Sequence, residues 1–109
     1  MTSLSSDPKR HKYEAYILFK ALEIHSGISI LRLDSKKRTT ALTAYRDMAY
    51  FIAVNLVWMT PLEAARAFDV SRSTIINSLV RTSDRCELDS YMNYIFKVYD
   101  TASGLMDSA

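Results

Sequence analysis

Residues 60–75 read Thr60-Pro61-Leu62-Glu63-Ala64-Ala65-Arg66-Ala67-Phe68-Asp69-Val70-Ser71-Arg72-Ser73-Thr74-Ile75, and two helix starts are written into them. Thr60 and Glu63 have capping-box spacing, each able to satisfy a free backbone donor of the other, and Pro61 stands at the first helical position, where its missing N–H costs nothing. The spacing predicts a helix to about Phe68, an interruption at Asp69-Val70-Ser71, and a second helix capped by Ser71 and running to about Asp84. Short helix, three-residue turn and second helix make a helix-turn-helix over about residues 61–84. Ala65 is small where two helices would cross closely, Val70 would plug the turn into the core, and Ile75 would anchor the second helix from beneath. Asp69 stands at a turn position that favours positive φ, which Asp and Asn tolerate better than most residues.

Upstream, Met48, Phe51, Ile52 and Leu56 recur at three and four within Thr43–Trp58, with Asn55 the polar exception, so this segment is expected to be the central core helix. A polar, basic connector, Ser35 to Thr43, leads into it. Before that, Ile28, Ile30, Leu31 and Leu33 form a short apolar patch compatible with one or two helical turns or a short strand. The first helix is expected from about Lys9 to His25, with Tyr13, Tyr16, Ile17, Lys20 and Ile24 at helical spacing and Ser26-Gly27 as the stop. Downstream, Leu88–Thr101 presents Tyr91, Tyr94, Ile95, Val98 and Tyr99. The polar residues 1–8 are expected to be a disordered lead and residues 103–109 a flexible tail, leaving one domain over 9–102.

With 109 residues, 49% of them hydrophobic, the chain can bury the core of one domain. Two glycines, two prolines and no strand-like alternation make the expected class all-α, with five to six helices. The lone Cys86 has no disulfide partner in the chain, and His11 and His25 add too few ligands for zinc, so no metal or cofactor is expected. The longest apolar stretch, Met48–Met59, is too short to span a bilayer and lies far from the N-terminus, which makes a cytoplasmic, nucleoid-associated protein the expectation.

A net charge of +2 does not by itself imply a nucleic-acid partner, but the charge is segregated. Arg32, Lys36, Lys37, Arg38 and Arg46 face a single acid, Asp34, whereas the chain from Glu87 onward carries four acids against Lys97. In a helix-turn-helix the second helix offers its first turn to the major groove of double-stranded DNA. Arg72, Ser73 and Thr74 then become the base-reading candidates: Arg can donate twice to guanine, and a Thr methyl can touch thymine. Ser71 and Asn77 are candidates for backbone phosphate. Taken singly, Ser71 is explained by capping and Arg72 by solvation. The pattern across the turn, with the basic stretch ahead of it, favours DNA.

Ser35–Leu56 (SKKRTTALTAYRDMAYFIAVNL) and Thr60–Phe68 (TPLEAARAF) carry a resemblance. From about Tyr16 to Ala102 the chain resembles the C-terminal DNA-binding domain of the bacterial replication initiator DnaA, with its basic loop, its arginine-led long helix and its S-L-x-x-I-G-x-x-F helix. The resemblance implies a helical domain like the initiator's domain IV and the Trp repressor. It also implies that Arg46 enters the minor groove and that Lys36, Lys37 and Arg38 contact phosphates. The family's G-G-R-D-H-T-T is replaced by Asp69-Val70-Ser71-Arg72-Ser73-Thr74, one residue shorter and keeping only the last threonine, which implies a different DNA site. There is no phosphate loop and no room for an ATPase. The chain is therefore similar to a stand-alone regulator, such as the DNA-binding part of activators of gene transfer agents in alphaproteobacteria.

Other features have bland explanations. The tyrosines of the last helix have few basic neighbours, so a packing face is preferred over base stacking. Trp58 is expected in the core or against a partner. His25 suits a helix C-terminus, and no constellation for acid–base or nucleophilic chemistry surrounds it, so no enzymatic activity and no small-molecule substrate are expected. The leading expectation is a sequence-specific DNA-binding transcription regulator, an activator. The alternative is a protein-interaction adaptor of the same fold that contacts RNA polymerase or a second activator through the acidic last helix and has little DNA affinity.

Overall fold

Asp7 accepts from the Lys9 amide at 3.0 Å and Pro8 takes the first helical position, so the first helix, α1, begins at once and spans Pro8–Ser26. The computed structural model describes residues 7–107, so most of the expected disordered lead lies outside the described residues, while its last two residues start the fold. α1 stops at Gly27, whose left-handed backbone (φ 78°) returns its N–H to the Glu23 carbonyl. α2 is the single turn Ile30–Leu33, capped by Ser29, which resolves the choice between helix and strand. α3 spans Thr40–Asn55, α4 Pro61–Phe68, α5 Arg72–Arg85 and α6 Asp89–Asp107; among the described residues there is no strand. The all-α expectation is met with six helices among the described residues, which are compact, with a radius of gyration of 12.7 Å. No helix among the described residues is long and apolar enough to cross a membrane.

α3 packs against every other helix, as expected of the central element, although it starts and ends three residues earlier than the periodicity suggested. Thr39 caps it by accepting from the Leu42 amide, so the basic connector shortens. At its far end the chain leaves through Trp58, whose φ of 71° lets the Met59 N–H reach back to the Ala53 carbonyl. The Trp58 side chain is 59% exposed, which overturns the core alternative for it.

α1 meets α6, α4 and α3, and its buried arc is correspondingly broad: Ala15, Leu18, Ala21 and Leu22 lie at its centre. The expected stripe is corrected here. Tyr16 and Ile24 are more than half exposed, while Ile17 of that stripe is buried as expected, and the buried arc turns instead through Leu18 and Leu22. On α6, Ile95, Val98 and Ala102 form the buried stripe, and Tyr91, Tyr94 and Tyr99 lie half-buried against the core, the packing arrangement. Burial pushes the Tyr94 hydroxyl up to about 12. α6 continues to Asp107 where a tail from residue 103 was expected, because Leu105 and Met106 pack on the core beyond Gly104.

Candidate nucleic-acid interface

The capping box forms as its spacing requires: the Thr60 amide donates to Glu63 Oε1 at 2.9 Å and the Glu63 amide to Thr60 Oγ1 at 3.1 Å. α4 buries Ala64, Ala65 and Phe68, with the Phe68 ring 4.9 Å from Tyr50 and 5.2 Å from Phe19. Asp69 ends it in the left-handed region (φ 57°, ψ 50°), the conformation read for this position, and the Val70 amide returns to the Ala65 carbonyl. Ser71 then caps α5 by accepting from the Thr74 amide at 3.1 Å. Ile75 is fully buried beneath the helix start, and Arg72 and Ser73 are exposed.

An open groove of about 750 Å³ separates this helix start from the basic loop before α3. Lys36, Arg38 and Arg46 line one side, and Ser71, Thr74, Asn77 and Arg81 the other. The structure thus brings most of the sequence-predicted site residues to one place. Lys37, Arg72 and Ser73 are exposed beside the groove, outside its lining. The side chains of Lys36, Lys37, Arg38 and Arg72 make no hydrogen bond or ion pair among the described residues, which leaves four cations available to an anionic partner. Asp34 and Asp69 also line the groove and temper its charge.

Two candidates have hydroxyls that are already engaged. Ser71 Oγ and Thr74 Oγ1 lie 2.8 Å apart and share a hydrogen bond, so the Ser71 hydroxyl serves the cap and the Thr74 hydroxyl is tied to it.

Arg46, for which the resemblance implies a minor-groove role, is held by backbone carbonyls in this structure. Its Nε donates to the Leu33 carbonyl at 2.7 Å, Nη1 to Lys37 at 2.6 Å, and Nη2 to Ser35 at 2.7 Å and Arg32 at 3.1 Å. The last carbonyls of a helix have no intrahelical partner, and a guanidinium can serve several carbonyls in one plane. Arg46 therefore closes α2 and shapes the loop that carries Lys36, Lys37 and Arg38.

Asp47, the next residue, was missed as part of the site. It is 1% exposed and accepts from Ser78 Oγ at 2.7 Å, from Arg81 through both Nε (3.1 Å) and Nη2 (3.0 Å), and from Arg85 Nη1 at 3.1 Å. Four donors from α5 converge on one carboxylate of α3, and the bond to Asp47 raises the Arg81 guanidinium further. Ser78, Arg81 and Arg85 recur at three and four along one helix face, which was the sequence signal for a shared anion.

His25 sits in the last turn of α1, with Nε2 2.7 Å from Thr101 Oγ1, so it ties α1 to α6 as well as suiting the helix end. No family model, no curated protein and no solved structure matches this chain.

Proposed function

We propose that the chain binds double-stranded DNA in a sequence-dependent way and acts as a transcription regulator. The observation that carries the reading is the groove, lined by unpaired Lys36 and Arg38 and flanked by unpaired Lys37 and Arg72, with the first turn of α5 exposed beside it and α3 holding both walls. Phosphate neutralisation by Lys36, Lys37 and Arg38 would supply affinity, and Arg72 and Ser73, with the Thr74 methyl, would meet base edges in the major groove. Asn77 lines the same groove and suits a backbone phosphate. Arg46 enters the proposal as a positioning residue. The resemblance to the initiator's DNA-binding domain supports the class of partner, and the different residues at Asp69–Thr74 favour a different site.

Activation, with RNA polymerase or a second activator as protein partner, belongs to the same proposal. The adaptor alternative draws less support, since the tyrosines it would use are half-buried against the core. The reading is one of a binding protein and not a catalyst. Selection of bound duplexes from a random pool by the purified chain tests it: a defined motif is the expected result, and an unenriched pool overturns sequence-dependent binding.

A further inference from the structure

α5 has an apolar outer ridge that the base-reading set does not use. Its inner face is fixed by fully buried Ile75, Ser78 and Thr82. The opposite face, at helical spacing, carries Ser73, Ile76, Asn77 and Val80. Ile76 is 39% exposed and Val80 62%, so two β-branched side chains stand in solvent on a helix where neither improves local propensity.

The ridge begins one turn after Arg72 and shares its face with Asn77, which lines the groove. From Ser71 to Thr82 the helix carries two arginines and no acid, and the loop across the groove adds Lys36, Lys37 and Arg38. A second copy of this surface would bring like charges together, whereas a polyanion is complementary to it. The apolar feature that B-DNA offers in its major groove is the C5-methyl of thymine.

We infer that Ile76 and Val80 are specificity-determining residues that read thymine methyl groups in the major groove. The inference rests on the DNA-binding reading and adds the base to it. Four residues of helix rise about 6 Å, close to two base steps of about 3.4 Å, so the two methyls lie about two base pairs apart when α5 runs along the groove. Ser73 flanks the ridge and can hydrogen-bond a base beside a methyl, while Asn77 on its other side stays with the backbone phosphate.

The test replaces each thymine of the selected duplex in turn by deoxyuridine, which removes the methyl alone, and measures binding by fluorescence anisotropy. Two thymines about two base pairs apart are expected to be sensitive, each replacement weakening binding about fourfold, the factor for burying one methyl-sized group. Ile76→Ala should abolish sensitivity at one of them and Val80→Ala at the other; circular dichroism checks that both variants keep the fold. A duplex that binds with normal affinity after every thymine is replaced overturns the inference and leaves DNA binding standing. So does sensitivity that persists in both alanine variants. Variants that bind DNA normally but lose self-association in sedimentation would assign the ridge to a contact between copies, which also overturns it. Failure to bind any duplex at low salt removes the underlying reading instead.

Discussion

Arg46 and Asp47 are adjacent in α3, yet their side chains hold opposite walls of one groove: Arg46 fastens the loop at residues 32–37 through its carbonyls, and Asp47 fastens α5 through Ser78, Arg81 and Arg85. Neighbouring helical residues point about 100° apart, so a dipeptide can serve two elements at once. The relative placement of basic loop and α5 is set by this pair.

Asp47→Ala is expected to destabilise the fold by about 2 kcal/mol. That is less than the ~3–5 kcal/mol of a fully buried pair, because Arg81 and Arg85 keep 45% and 37% of their side chains in solvent and can rehydrate. Ser78, fully buried, loses its acceptor and accounts for part of the loss. Urea titration checks this, with a lower midpoint at an unchanged slope.

Arg46→Lys replaces a planar fork by a point donor that cannot span four carbonyls, so a loss of about 1 kcal/mol and a loosened loop are expected. Duplex binding should weaken equally for all sequences. Repeating the pool selection with the variant checks the role: a changed preference at an A·T position would mean that the guanidinium enters the minor groove after all.

Glu14 is 4% exposed, and burial raises its carboxyl above the ordinary range, against the opposing effect of Arg10 with Nε at 3.6 Å. A carboxyl raised in the folded state holds its proton more tightly there than in the unfolded chain, so folding gains from Glu14 as pH falls. The stability of the parent relative to Glu14→Gln is therefore expected to rise between pH 7 and pH 4. Parallel thermal denaturation of the two chains across that range measures it.

Trp58→Gly is expected to change stability by less than about 1 kcal/mol. Release of the left-handed strain at φ 71°, worth ~1–2 kcal/mol, offsets the extra unfolded-state freedom of glycine. A loss of ~3–5 kcal/mol in thermal unfolding would instead indicate a core tryptophan.

What was legible in the sequence is what local chemistry encodes. Thr60, Glu63, Ser71 and Asp69 each act on backbone within a few residues, so the α4–turn–α5 unit was read to within a residue or two. In α1 the expected stripe meets the core at Tyr13 and Ile17 but not at Tyr16 and Ile24, because a helix packed against several others buries a broad arc that a single stripe does not describe. Neither the Asp47 cluster nor the Arg46 contacts are local. They join residues 31 to 38 and 9 to 14 apart, and only the three- and four-residue recurrence of Ser78, Arg81 and Arg85 hinted at the first. The continuation of α6 beyond residue 103 depends on Leu105 and Met106 finding the core, which packing decides.

The central claim is that phosphate grip and base reading reside in different walls of the groove. Binding of the selected duplex and of a scrambled duplex, measured from 50 to 200 mM salt for the parent, Lys37→Ala and Arg72→Ala, tests it most directly. The account predicts that Lys37→Ala weakens both duplexes alike and reduces the salt slope by about one, whereas Arg72→Ala costs ~1–3 kcal/mol on the selected duplex and relaxes one base position. No duplex binding by the parent at 50 mM salt, or two variants indistinguishable from it on both duplexes, would contradict the account.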